Sequence, residues 1–213
     1  MKIIAHRGLW KEKSERNTLP ALEAALQKGY GIETDLRAYR GKLFISHDPI
    51  LDPTTVPRFE QLLELSKAYP ELPFFLNIKE DGLLTIILDF VKDIGERPVV
   101  FFDMSVPELY RYSRKMESAR LCTRLSDYET HPSGVGLCDW LWVDGFEREM
   151  REKEIKKVLE HHPLKPAFVS PELHGRDRMP FWKMLKEAGW LKDPSSFVCT
   201  DYPELFEIFC KEA

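Results

Sequence analysis

Short runs of β-branched and aromatic residues recur along the chain, and most are followed by a segment whose apolar positions fall three and four apart. The strand candidates are Lys2–Ala5, Gly31–Asp35, Phe74–Ile78, Val99–Phe102, Arg120–Thr123, Trp140–Val143, Pro166–Ser170 and Phe197–Thr200. A further run, Lys42–Ser46, either extends the second strand or pairs with it. Between the strands, Leu19, Leu22 and Leu26 form one helical face, Phe59, Leu62 and Leu63 a second, and Phe181, Met184, Leu185 and Ala188 a third. Thr18 before Pro20, and Asp201 before Pro203, place a capping side chain and a first-turn proline at helix starts, where backbone N–H groups lack partners. Ser126–Leu137 breaks the rhythm: the helix expected after the fifth strand is missing there.

Strands alternating with helices predict a parallel α/β sheet, and eight of them fit a (β/α)8 TIM barrel that is irregular around its fifth strand. A doubly wound open sheet would use the same period. The length is 213 residues, 43% of them hydrophobic, which suits one core and predicts a single domain over 1–213.

A formal net charge of -4, with no basic run interleaved with aromatics, speaks against a nucleic-acid partner. The longest apolar stretches, such as Leu83–Val91, fall well short of the ~20 residues of a membrane span. The chain opens directly into an apolar strand without a charged segment and cleavage site, so it is expected to be soluble and cytoplasmic. Cys122, Cys138, Cys199 and Cys210 are scattered, without metal-ligand spacing, and are read as reduced structural cysteines. Oligomeric state is not legible.

In a parallel α/β fold, reactive groups collect at the C-terminal ends of strands. Those ends are polar here: His6-Arg7-Gly8, Glu33-Thr34-Asp35, His47-Asp48, Asn77-Ile78-Lys79-Glu80, Asp103, Asp144, Ser170-Pro171-Glu172 and Asp201. Glu33 and Asp35, two apart on a strand, share one face, and their mutual repulsion calls for a cation between them. Oxygen ligands favour Mg²⁺ or Ca²⁺ over zinc. The alternatives are an exposed edge pair or an ion pair with Arg37 or Arg7. His6 and His47 can divide the general-base and general-acid roles, whereas either alone reads equally well as a core histidine bonded to carbonyls. Arg7 and Lys79 can hold phosphoryl oxygens, or neutralise the nearby carboxylates. His131, His161 and His162 stand in a loop and at a charged helix end, outside the chemistry.

Taken together, His6-Arg7-Gly8, Asn17-Thr18, Gly31-Ile32-Glu33-Thr34-Asp35, His47-Asp48, Ile78-Lys79 and the late Thr200-Asp201-Tyr202-Pro203 resemble the glycerophosphodiester phosphodiesterase family. The likeness is strongest over residues 3–80. It implies a barrel in which His6 and His47 act as base and acid on a phosphodiester while Glu33, Asp35 and a third ligand at Asn77 bind metal. Attack by a neighbouring substrate hydroxyl, giving a cyclic phosphate, is the pattern of the related phospholipase C barrels.

Three positions depart from that family. Asn77 stands where a glutamate is usual, and the usual Pro-Glu-Asn-Thr is Glu15-Arg16-Asn17-Thr18, with a cation at the acidic position. Only 30 positions separate His47 from Asn77, too few for the subdomain that typically covers the glycerol side. Glu172 is a candidate to replace the charge missing at Asn77, or to pair with Arg176 or Arg178. Trp10 is a candidate to stack on a sugar or polyol, or to cover the rim.

The expectation is therefore a metal-dependent phosphodiesterase for a small or lipid-derived diester. The alternative is a non-catalytic barrel that binds a phosphorylated metabolite or glycan beside a decayed metal site. A sugar-phosphate isomerase or aldolase-like barrel with Lys79 at its centre ranks last, because it leaves the histidines and paired carboxylates without a joint task.

Overall fold

The computed structural model describes residues 1–212. Its strands are β1 (Lys2–His6), β2 (Gly31–Tyr39), β3 (Lys42–Ile45), β4 (Phe74–Ile78), β5 (Val99–Phe102), β6 (Cys122–Ser126), β7 (Trp140–Asp144), β8 (Lys165–Val169) and β9 (Phe197–Thr200). The helices are α1 (Leu19–Gln27), α2 (Phe59–Ser66), α3 (Leu84–Ile94), α4 (Val106–Ser113), α5 (Glu152–His161), α6 (Met179–Glu187) and α7 (Pro203–Lys211). Eight strands run parallel in the order β5-β4-β2-β1-β9-β8-β7-β6, and β3 pairs antiparallel with β2. A single parallel bridge, Phe101 to Leu121, joins β5 to β6, so the barrel is nearly closed.

Two separate apolar layers result from strand alternation. Facing inward, Ile4, Phe75, Val100, Phe102, Trp140, Trp142 and Phe197 fill the barrel, with the Phe75 ring 5.2 Å from Trp140 and 6.1 Å from Phe197. Facing outward, strand residues such as Ile32, Leu76 and Val198 pack against Leu22, Leu62, Ile87, Leu109, Ile155, Leu185 and Phe206 of the helices. The predicted faces of α1, α2 and α6 are buried through Leu22 and Leu26, Phe59 and Leu62, and Phe181 and Leu185. Aromatic rings plug the middle of the barrel, and a cavity opens above them at the strands' C-terminal ends.

The expected gap after the fifth parallel strand is present: a 3₁₀ turn, Val135–Leu137, replaces a helix between β6 and β7. It leaves a groove of about 410 Å³ lined by Leu125, Val135, Met150 and Val158, with His131, His161 and His162 at its edge. Two sequence expectations need correction. The fifth parallel strand starts at Cys122, not Arg120, because Arg120 lies in a 3₁₀ turn and spends its guanidinium on the carbonyls of Gly95 and Arg97. Asp201 does not cap α7, whose N-cap is Tyr202, because its carboxylate is taken elsewhere. Thr18, by contrast, does cap α1, accepting from the Ala21 N–H at 3.4 Å. Cys122, Cys138, Cys199 and Cys210 are all free thiols.

Among the described residues no helix is long and apolar enough to cross a membrane.

Candidate active site

The strand registers set the site before any side chain is considered. His6 is level with Glu33, and Asp35 with Asn77, on adjacent strands. Inward-facing positions therefore deliver His6, Glu33, Asp35 and Asn77 side by side at one mouth of the barrel. A cavity of about 290 Å³ lies there, walled on one side by His6, Arg7, Glu33, His47, Asn77 and Lys79. Asp103, Arg124, Trp142, Asp144, Phe146 and His174 contribute to the rest of its wall.

His6 is buried, and its Nδ1 lies 2.6 Å from Asp201 Oδ1. The carboxylate accepts a hydrogen bond, so the ring proton sits on Nδ1 and leaves Nε2 as the free base, 3.7 Å from Glu33 Oε2. Burial lowers the His6 pKa from its ordinary value, against the opposing pull of Asp201, which keeps the imidazole neutral near pH 7. Asp201 is held in turn by Arg16, whose Nη2 donates to Oδ2 at 2.8 Å. Arg16 lies 4.1 Å from the Trp10 ring centroid, and Trp10 Nε1 donates to the His6 carbonyl at 3.0 Å. The cation at position 16 thus works beneath the histidine. Trp10 is likewise part of the scaffold that fixes His6 and does not line the cavity.

His47 is more exposed, on the segment after β3, and its Nδ1 lies 2.8 Å from Asp48 Oδ1. Its backbone carbonyl accepts from Arg37 Nε at 2.9 Å, and Arg37 also pairs with Glu80 at 3.2 Å after β4. Arg37 therefore ties the His47 segment to the neighbouring strand end and does not pair with Glu33 or Asp35.

Asp35 is fully buried and has three partners. Arg7 Nε stands 3.0 Å from Oδ2, Asn17 Nδ2 donates to Oδ2 at 2.8 Å, and Lys79 Nζ lies 3.7 Å from Oδ1. Asn17 is orientated by Thr34, which donates to its Oδ1 at 2.8 Å. This explains the Asn-Thr motif: Asn17 holds Asp35 while Thr18 starts the helix. Arg7 and Asn17 reach Asp35 from left-handed backbone, φ 58° and 61°, and Gly8 follows at φ 94°. A Cβ on Gly8 would stand 2.6 Å from the Ala21 carbonyl carbon. Gly8→Ala is accordingly expected to cost more than about 2 kcal/mol in chemical denaturation, since neither the loop nor α1 can withdraw without moving His6 and Arg7.

Glu33 carries the sharpest electrostatic problem. It is 2% exposed, and burial first, then the Asp35 charge, push its pKa well above the usual carboxylate range. Glu33 Oε2, Asp35 Oδ1 and Asn77 Oδ1 are all buried without a hydrogen-bond partner. Unpaired buried oxygens of this kind are costly unless something positive meets them. Among the described residues no three His, Cys, Asp or Glu side chains group closely enough to cage an ion, so the oxygen set is two carboxylates and one amide. That donor set fits a hard divalent cation.

Glu172 lies off the cavity wall. Its carboxylate accepts from Ser170 and Thr200 hydroxyls and from the Asp201 N–H at 3.1 Å, clamping the ends of β8 and β9 around Asp201. Arg176 turns instead to Glu149 at 2.6 Å. Sequence reasoning did not pair Asp201 with His6, nor Asp144 with His174, whose Nε2 lies 2.6 Å from Asp144 Oδ1 on the cavity wall. The position of both acids at strand ends was the available signal, but nothing in the sequence told which histidine each would meet.

No protein-family model matches the chain, and no curated protein matches it significantly in sequence. Solved structures do match it. The glycerophosphodiester phosphodiesterase from Agrobacterium tumefaciens str. C58 superposes with TM-score 0.73 at 19% identity, over 100% of this chain and 99% of that one. One from Parabacteroides distasonis ATCC 8503 gives 0.66 at 19% identity, covering 99% and 97%. A putative glycerophosphoryl diester phosphodiesterase from Silicibacter pomeroyi DSS-3 gives 0.74 at 14% identity, covering 99% and 93%. Over its whole length this chain has the (β/α)8-barrel fold of the glycerophosphodiester phosphodiesterases.

Proposed function

We propose that the protein is a metal-dependent phosphoric diester hydrolase acting on a glycerophosphodiester-like, small or lipid-derived substrate. The observation that carries this reading is the meeting, in one cavity, of an aspartate-orientated neutral His6, a second histidine, His47, and the partnerless buried oxygens of Glu33 and Asn77, with a third on Asp35, level with Asn77 on the adjacent strand. Glu33, Asp35 and Asn77 would hold Mg²⁺ or Ca²⁺, which supplies polarisation of the phosphoryl oxygens. His6 Nε2 takes the proton of the attacking hydroxyl, either water or a neighbouring hydroxyl of the substrate. The imidazolium so formed is stabilised by Asp201. His47, from the other strand end, returns a proton to the departing alcohol. Arg7 and Lys79 face the charge that builds on phosphorus-bound oxygens. The wall of Trp142, Phe146, Asp144 and His174 offers aromatic faces and polar groups to the alcohol.

The reading is tested with a panel of glycerophosphodiesters. Alcohol release is expected from the wild type and its near-abolition in His6→Ala, in His47→Ala and on addition of chelator; release that survives all three treatments rejects the assignment.

One observation favours the non-catalytic alternative. Asp35 is already neutralised by Arg7 and hydrogen-bonded to Asn17, as in a site that has no need of an ion. Calorimetry separates the two: no binding of Mg²⁺ or Ca²⁺ up to millimolar concentration supports a phosphate-binding barrel.

A further inference from the structure

The proposed chemistry draws on one side of the cavity. In the rest of its wall, the ends of β7 and β8 bring together a second histidine and aspartate, His174 Nε2 lying 2.6 Å from Asp144 Oδ1. A carboxylate accepts, so Nε2 is the donating nitrogen, the reverse of His6, whose Nδ1 meets Asp201. His174 Nδ1 has no hydrogen-bond partner among the described residues and is not one of the buried polar atoms. The side chain is 25% exposed and forms part of the cavity wall.

Both loops that bear the pair are fixed. Two residues after His174, Arg176 donates to the Gly145 carbonyl and pairs with Glu149 at 2.6 Å, so the loop after β8 is tied to the loop after β7 at two points. Asp127 accepts from the Phe146 and Glu147 N–H groups, both at 2.8 Å, and holds the second loop from its other side. A Cβ on Gly145 would collide with the Arg148 carbonyl oxygen, so the tight turn that carries Phe146 requires glycine there. Phe146 sets its ring 5.1 Å from the His174 imidazole, and Trp142 stands in the same wall. The cavity is thus offered a preorganised imidazole with one nitrogen unused, between aromatic faces.

A hydroxyl both donates and accepts, so it satisfies Nδ1 with or without a proton there. An alkyl chain offers that nitrogen nothing, and a quaternary ammonium can only lie against the rings. The carbon framework of a polyol or sugar would pack on Phe146 and Trp142 while one of its hydroxyls reaches His174.

We propose that His174, held by Asp144, is a specificity-determining residue: its Nδ1 meets a hydroxyl of the departing alcohol, and the protein selects diesters of a polyol or sugar over those of a plain alcohol. The inference rests on the phosphodiesterase reading of the cavity. A site that hydrogen-bonds a substrate hydroxyl rejects the analogue lacking it, because a polar group of the protein is then left unpaired.

The test measures release of isotopically labelled alcohol from three diesters of glycerol 3-phosphate, with Mg²⁺ or Ca²⁺ present. The labelled partner is glycerol, propanol or 2-(trimethylammonio)ethanol, and the proteins are the wild type, His174→Phe, and His174→Phe combined with Asp144→Asn. Wild-type kcat/KM is expected to be at least about tenfold higher for the glycerol diester than for either of the others. His174→Phe keeps a ring against Phe146 and removes both nitrogens. It is expected to lower kcat/KM for the glycerol diester at least about tenfold more than for the propanol diester. The double variant, in which no carboxylate is left unpaired, is expected to show the same selective loss. A merely structural His174 would lower both diesters alike. Equal losses on the two diesters, or a wild type without preference for glycerol, overturn the role of His174 while leaving the phosphodiesterase standing. A wild type that releases none of the three alcohols refutes the phosphodiesterase reading, and the role of His174 falls with it.

Discussion

Replacing His6 by alanine is expected to lower kcat toward a phosphodiester by about 10³–10⁴-fold, the range for loss of a general base in a preorganised site. Asp201→Asn is expected to come within about tenfold of that loss, although it removes no atom that touches substrate. The reason is the 2.6 Å contact between Asp201 Oδ1 and His6 Nδ1. An asparagine presenting its NH₂ to Nδ1 drives the ring proton onto Nε2, the nitrogen that has to accept. The same change strips Arg16 of its partner, so the loop carrying His6 loses a tie that runs through Arg16 and Trp10. Steady-state kinetics should show the loss in kcat with KM little moved; an Asp201→Asn variant with wild-type kcat would remove Asp201 from the account.

The second large effect concerns Glu33, where activity and stability are expected to move in opposite directions. A charged carboxylate that is 2% exposed, has a partnerless oxygen and sits beside Asp35 destabilises the metal-free fold. The sign follows from a folded-state pKa held above the ordinary 4.5: the metal-free protein is most stable with Glu33 protonated and loses stability as the pH rises past that value. Glu33→Gln keeps the shape and removes the charge. It is expected to raise unfolding stability near pH 7 by about 1–2 kcal/mol without metal, the usual trade at a site built for function, and to reduce turnover by a factor of about 10³ or more. Divalent metal should stabilise the wild type and leave the variant unmoved. A variant less stable than the metal-free wild type would show that Glu33 is a structural acid.

The barrel was legible because its physics is periodic. Buried strands such as Phe74–Ile78 and Trp140–Asp144 read as apolar runs, helices as three-and-four spacing, and the missing helix after β6 as a loss of that spacing. The cavity residues His6, Arg7, Glu33, His47, Asn77 and Lys79 were legible because parallel strands all deliver their C-terminal ends to one mouth. What stayed hidden was pairing across the barrel. His6 and Asp201 are 195 positions apart, His174 and Asp144 30 apart, and no local rule links them. Glu172 was misleading for the same reason: its neighbours in sequence are Arg176 and Arg178, but its partners in space are Ser170, Thr200 and the Asp201 N–H.

The most direct test of the account is a phosphorus NMR time course of the wild-type protein with a glycerophosphodiester and Mg²⁺ or Ca²⁺, run with and without chelator. The account predicts that the diester signal gives way to a phosphomonoester or a cyclic phosphate, and that chelator stops the conversion. A diester signal that persists unchanged across the panel, with the metal shown to be bound, would contradict it.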